Sequence, residues 1–199
     1  MNRSVVIHKL VTHAKRKIVI SDIHGNLDLY KKLLEKIHYM PNEECLILLG
    51  DLIEKGPKNL DTLHYIMHQV QTEDVHCIMG NCDFIAKNVL YSYRLDFLQH
   101  VLSFRKESLI HEMAQSLGLE INKECNMSSL CQKLRKHFLK ELCFLNDLPH
   151  VLEDDKHIYV HAGIESNDNY GTDFKQVMTH AFFLDTNVVF KKNVIVGHM

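Results

Sequence analysis

Residues 17–26 read KIVISDIHGN, and this stretch decides the fold. Lys17-Ile18-Val19-Ile20 is a short β-branched run closing on Ser21-Asp22, which by length and composition is a buried strand. Asn26 then stands as a helix N-cap, and Leu27, Tyr30, Leu33, Leu34 and Ile37 recur at helical spacing. The same unit returns twice. Cys45–Leu49 is a second apolar run, ending at Gly50-Asp51, and a helix follows Gly56-Pro57 with Leu60, Leu63, Ile66, Met67 and Val70 on one face. Val75–Met79 is a third run, ending at Gly80-Asn81. Strand–helix–strand–helix–strand at this spacing predicts an α/β fold with parallel pairing.

Outward from that core the pattern changes. From Phe84 to Leu148 it is almost wholly helical, and three helices are expected at Phe84–Leu102, Lys106–Leu117 and Ser128–Leu145, with Ser128 as a cap and Gly118 as a stop. This is a helical insert, about residues 84–148, within a domain spanning residues 16–199. Pro149 ends it, Asp154-Asp155 makes a turn, and His157–Val160 is a strand running into His161-Ala162-Gly163. A helix at Phe174–Phe183 and a strand at Asn193–Val196, ending in Gly197-His198, complete the pattern. Residues 1–15 form an N-terminal extension in which Ser4–Leu10 is either an edge strand or a disordered arm. A sequence that stops one residue past a strand reads as a C-terminally truncated fragment, with a naturally short domain as the alternative.

Composition excludes several classes. The net charge is −2 with no basic tail, so bulk electrostatics point to neither nucleic acid nor membrane surfaces as partners. No apolar run reaches the ~20 residues of a bilayer span, and residues 1–17 lack the continuous apolar core of a secretory signal. The six cysteines form no C-x-x-C pair, as expected of reduced thiols in a cytoplasmic protein. Histidine is abundant, 15 of 199, too many for any one site, so position has to decide which matter.

Position is informative. Five expected strands each end in a metal-ligand type: Asp22 with His24, Asp51, Asn81, His161 and His198. Open α/β sheets bind ligands beyond the carboxyl ends of their strands, so five chain-distant turns would meet at one edge. Asp22 and His24 are two apart, and an extended backbone would point them the same way. Carboxylate, imidazole and amide oxygen together suit two divalent ions such as Mn, Fe or Zn. Asp51 can bridge such a pair through its two oxygens, and two ions ~3.5–4 Å apart can hold a hydroxide and clamp a phosphoryl group. Each signal alone is weak: Gly50-Asp51 and Gly80-Asn81 are common turns, and a lone histidine is usually a packing residue. The joint pattern, in one order and at one structural place, is what carries weight.

On these residues the sequence resembles the calcineurin-like metallophosphoesterases, in particular their bacterial branch of Ser/Thr-phosphatase type. SDIHGN (21–26) is similar to the family's GDxHG, GDLIEKGP (50–57) to GDxxDRG, GNCD (80–83) to GN[HC][DE], and VHAG (160–163) and VGH (196–198) to its last two histidine motifs. The resemblance covers nearly the whole chain after Lys17. It implies a β-sandwich flanked by helices, and hydrolysis of a phosphodiester, nucleotide or phosphomonoester by a metal-bridging hydroxide. Asp22, His24 and Asp51 would hold one ion and Asp51, Asn81, His161 and His198 the other. Some relatives carry one more histidine two positions past the one matching His198, beyond this chain.

The departures bear on substrate. Cys82 stands where the family's usual histidine general acid would be, Glu54 where its orienting aspartate would be, and Lys55 replaces the arginine of DRG. No arginine lies between Arg16 and Arg94, whereas arginine is the side chain that forks phosphate bidentately. A monoester dianion needs more cationic help than a diester, which favours a diester or nucleotide over phosphoserine or phosphothreonine protein. Cys82 reads as a buried apolar spacer, a weak proton donor or a redox-sensitive thiol. Lys55 and Asn81 are expected to contact substrate phosphate, and Glu54 is either a carboxylate behind the metals or one approaching a helix. Asp51, Lys55, Cys82 and Glu54 are thus the candidate catalytic set. The competing reading is a weak or inactive relative that binds without turnover.

Overall fold

The computed structural model describes residues 4–91, 107–122, 125–168, 170–171, 173–181 and 188–198. Strands are β1 (Ile7–Lys9), β2 (Lys17–Ile20), β3 (Cys45–Leu48), β4 (Val75–Cys77), β5 (Val151–Glu153), β6 (His157–Val160) and β7 (Asn193–Val196). Helices are α1 (Leu27–Lys36), α2 (Asn59–Thr72), α3 (Asn81–Leu90), α4 (Leu109–Ser116), α5 (Met127–His137), α6 (Leu139–Asp147) and α7 (Phe174–Thr179). The strands form two sheets, β2-β3-β4, all parallel, and β1-β5-β6-β7, in which only β5 and β6 run antiparallel. Among the described residues no helix is long and apolar enough to cross a membrane.

Strand β3 shows how the layers are specified. It is buried along its whole length, as a central parallel strand must be. Its side chains alternate between two cores. Leu46 and Leu48 join the large cluster with Leu63 and Ile66 of α2. Cys45 and Ile47, with Leu49 just beyond, join a smaller one with Leu152 of β5 and Tyr159 of β6, so this second core lies between the sheets. The result is a β-sandwich with helices packed outside it.

Several local expectations are revised. The single helix expected at Ser128–Leu145 is two, α5 and α6, broken where Phe138 leaves helical geometry (φ −111°, ψ 35°) to bury its ring. The cap of α5 is Asn126, whose side chain accepts from Ser129 N at 3.0 Å, rather than Ser128. Asn26 precedes α1 but makes no side-chain cap; its amide donates to the carbonyls of Ile23 (3.1 Å) and His24 (3.0 Å), tying the turn that carries His24. The second insert helix starts at Leu109 and ends before Gly118, whose φ of 66° reverses the chain. Helix α3 begins at Asn81, earlier than expected, and the rest of the stretch expected to Leu102 lies outside the described residues. Helix α7 ends at Thr179, short of the expected Phe183: His180 is already extended (φ −117°, ψ 121°), Ala181 is not helical, and residues 182–183 lie outside the described residues.

The N-terminal stretch, open between strand and arm, contains an edge strand: β1 pairs in parallel with β5, Ile7 opposite Val151. Strand β5 escaped the sequence reading because at three residues it is too short to show a period. Its hairpin to β6 turns on Asp154, whose Oδ1 accepts from Lys156 N and His157 N at 2.8 and 2.7 Å.

Candidate metal centre

Registers place the strand ends together. Ile20 pairs with Leu48, Leu48 with Cys77, and Val160 with Val196, so the turns after β2, β3 and β4 share one edge and those after β6 and β7 share another. Beyond the strands the first two turns stay zipped: Asp22 N donates to Gly50 O, His24 N to Asp51 O and Gly25 N to Leu52 O, at 3.2, 2.8 and 3.0 Å. Gly197 N donates to His161 O at 2.8 Å, joining the other pair.

These turns are not extended. Asp22, His24, Asp51, Glu54, Lys55 and His198 all have positive φ, between 49° and 75°. The expectation that an extended backbone aligns Asp22 and His24 is therefore corrected: each sits in the left-handed region, and the turn brings His24 Nε2 to 3.7 Å from Asp22 Oδ1. Backbone strain of this kind persists where surrounding structure fixes it, and here six instances border one cluster. Glycines make the close approach possible. A Cβ on Gly80 would lie 2.3 Å from Asp51 Oδ1, and one on Gly50 (φ 85°) would lie 2.4 Å from Gly80 N.

All six nominated donor residues are brought together. Asp51 is central and 1% exposed; its Oδ2 lies 3.6 Å from His24 Nε2 and its Oδ1 3.5 Å from His161 Nε2. Cys82 N donates to the same Oδ1 at 2.8 Å. His161 is fully buried, and its Nδ1 donates to Leu49 O at 2.6 Å. That bond fixes the tautomer, leaving the Nε2 lone pair facing Asn81 Oδ1 at 3.1 Å and His198 Nδ1 at 3.0 Å. Burial lowers the His161 pKa, against the raising pull of Asp51, so the ring is neutral as a ligand requires. Asp22 accepts from the Ser21 hydroxyl and from His198 N (3.1 Å). Burial alone would raise its pKa, but these bonds and the nearby histidines hold it below the usual value.

Electron-rich atoms therefore converge with few protons among them, which is the arrangement a cation resolves. Asp51, His161 and His198 make one group of mutually close donors; His24, Asp51 and the Cys82 sulfur make a second, each within 4.8 Å. Asp51 belongs to both. The donors of the first group, with Asn81, suit a divalent ion of borderline or hard character, and His24 with Asp22 and Asp51 suits another.

The remaining nominated residues lie around this cluster. Lys55 is exposed, with Nζ 3.0 Å from His24 Nε2. Cys82 is buried with its sulfur against the donors, 3.7 Å from Asn81 Nδ2. Glu54 is buried and directs Oε1 to Leu109 N (3.1 Å), the first amide of α4.

Two residues were not nominated. Asp83 is buried and accepts from Leu52 N (3.0 Å), Ile53 N (3.4 Å) and Gly80 N (2.9 Å), pinning the Asp51 loop to α3. Burial and the charge of Asp51 push its pKa well above the ordinary carboxylate value. The signal was present: an acidic residue at the third position of a helix, three after its N-cap. Asn59 accepts from Glu54 N at 2.6 Å and donates to Gly56 O at 2.8 Å, closing the loop that carries Lys55. Nothing in its local sequence distinguishes it from any other helix-start asparagine.

A family model described as calcineurin-like phosphoesterase matches residues 15–199. The asymmetrical bis(5'-nucleosyl)-tetraphosphatase PrpE of Halalkalibacterium halodurans is 28% identical over 181 residues, covering 84% of this chain and 64% of that protein. A symmetrical bis(5'-nucleosyl)-tetraphosphatase of Pseudomonas syringae pv. syringae is 38% identical over 64 residues, 32% of this chain and 21% of that protein. Among solved structures, a candidate diadenosine tetraphosphatase aligns with a TM-score of 0.55 at 19% identity, covering 88% of this chain and 63% of that one. A serine/threonine phosphatase from Saccharomyces cerevisiae aligns at 0.52 and 11%, covering 89% and 52%. At those identities the structures show likeness of fold. This chain spans less than two thirds of the length of each of these proteins.

Proposed function

This chain belongs to the calcineurin-like phosphoesterase family, and from that premise we propose that it hydrolyses a phosphoric ester or anhydride with two divalent cations held by Asp22, His24, Asp51, Asn81, His161 and His198. The observation that carries the reading is Asp51, whose two oxygens face separate histidines, His24 and His161, at 3.6 and 3.5 Å. When bound, the cation pair supplies Lewis acidity toward phosphoryl oxygens and an activated water.

The chain's own residues do the rest. His161, neutral and fixed by Leu49 O, presents a lone pair without reorganisation. Lys55 offers a point charge to a phosphoryl oxygen, and Asn81 Nδ2 a neutral donor. Cys82, buried against the cluster, excludes water from that side.

The substrate is a nucleotide with a bridged phosphate chain, in the class of the dinucleoside polyphosphates. The names of the similar tetraphosphatases support it. So does the scarcity of arginine, because bridged phosphates carry less charge per phosphorus than a monoester dianion. A recess of about 190 Å³ beginning at Asp22 and lined by Ile23, Leu29, Tyr30 and Leu33 offers an apolar surface for a nucleobase.

The test is a substrate panel with Mn, Fe or Zn added: diadenosine tetraphosphate, bis(p-nitrophenyl) phosphate and p-nitrophenyl phosphate. The tetraphosphate should turn over fastest. A large preference for the monoester overturns the substrate class, and equal rates for wild type and Asp51→Asn overturn the enzyme.

A further inference from the structure

At the opposite end of β3 lies a second cluster that the phosphoesterase reading does not use. Cys45 opens β3, Asp74 immediately precedes β4, and His76 lies within it. Leu46 pairs with Val75, so Cys45 lies beside Asp74, and His76, two further on, shares that face. The Cys45 sulfur, an Asp74 oxygen and a His76 ring nitrogen all lie within 4.8 Å of one another. Asp51 lies six positions after Cys45, which at about 3.3 Å per residue of strand puts the two clusters up to roughly 20 Å apart.

We propose that Cys45, Asp74 and His76 form a zinc site, separate from the phosphoesterase centre, that ties the β1–β2 linker to the starts of β3 and β4. This rests on no part of the functional reading above. The donor set is the first argument. Thiolate, imidazole and carboxylate together match Zn²⁺. Geometry is the second. With Zn–S near 2.3 Å and Zn–N or Zn–O near 2.0–2.1 Å, tetrahedral neighbours stand about 3.3–3.6 Å apart, so donors within 4.8 Å need move by only about 1 Å.

The surroundings are already those of a ligand shell. The Thr12 hydroxyl donates to Asp74 Oδ2, and Ala14 N donates to Thr12 Oγ1 at 3.1 Å, so the linker orients the carboxylate. His76 Nε2 is 2.8 Å from Asp74 Oδ1, and Leu46 N donates to Asp74 O at 2.9 Å, which anchors the backbone. Cys45 is fully buried. Side chains of His76 and Asp74 are 30% and 27% exposed, which gives an ion a path in and leaves a fourth position for water.

The experiment titrates metal-free, reduced protein with Co²⁺ and, separately, Zn²⁺. Wild type should show an intense near-ultraviolet thiolate-to-cobalt band whose final amplitude corresponds to one cobalt–thiolate bond per chain. Cys45→Ser should abolish it, and Cys82→Ser, at the other centre, should retain it. Zinc content should fall by one equivalent in Cys45→Ser, and His76→Ala should weaken this site at least tenfold. A wild-type protein without the band, or a band that persists in Cys45→Ser, overturns the proposal. Should Cys45→Ser fail to fold, His76→Ala decides: the position is half-buried, and an unchanged band and zinc content there overturn the proposal equally.

Discussion

The ammonium of Lys55 approaches the Nε2 of His24 to 3.0 Å, and both residues sit on left-handed backbone in turns from different strands. A lysine donates there and cannot accept, so the contact uses the lone pair that a cation would require. An ion held by His24 would use that same lone pair, and the Lys55 ammonium would then be available to a substrate oxygen. Lys55→Met should lower kcat about 10²-fold while leaving metal affinity equal or higher. Steady-state kinetics and metal titration of the same preparation check both halves; weaker metal binding would place Lys55 in a structural role.

Asp51 is shared by both donor groups. Asp51→Asn keeps the shape and removes the charge. It should lose tight binding of at least one cation and reduce turnover by at least about 100-fold, measured by metal analysis after dialysis and by hydrolysis of diadenosine tetraphosphate.

Gly80 passes directly against Asp51. Gly80→Ala should destabilise the fold by roughly 1–3 kcal/mol and displace Asp51. Urea unfolding should show the loss, and activity should fall further than stability explains.

Glu54 behaves in the structure as a helix cap, accepting from the Leu109 amide at the start of α4, while Glu112 of α4 in turn accepts from Asn59 N and Leu60 N at the start of α2, at 2.8 and 2.7 Å. Glu54→Ala should cost about 1–2 kcal/mol with metal stoichiometry unchanged, and Glu54→Gln less. Loss of a bound ion in Glu54→Ala would instead return this residue to the centre.

His150 accepts from Val6 N at 2.9 Å and stacks on Phe174 with ring centroids 4.7 Å apart. Burial, aided by the charge of Lys87, lowers its pKa to about 4. An unfolded histidine titrates near 6.5, so as pH falls the unfolded chain takes the proton first. Its contribution is full above about 6.5 and is lost as pH falls from there toward about 4. His150→Phe removes this titration, and unfolding free energy should vary less with pH across that window than in wild type.

Local sequence determined the carriers. Apolar runs of four or five residues, each closed by a polar turn, specify β2, β3, β4, β6 and β7, and the donor residues are legible because they fall at those ends. Runs of this kind record burial, and burial along a parallel strand needs no knowledge of its partner. Tertiary structure decided the rest. Three-residue β1 and β5 exist because they pair with each other across 144 residues. Asp22 and His24 converge through left-handed turns that hydrogen bonds to the Gly50–Leu52 segment hold in place, and no periodicity encodes those bonds. Asp83 and Glu54 are both acidic residues beside a glycine-bearing motif, yet one braces the Asp51 loop and the other caps an insert helix. What separates them is which unpaired amides the fold sets within reach, and that is a property of packing between distant segments.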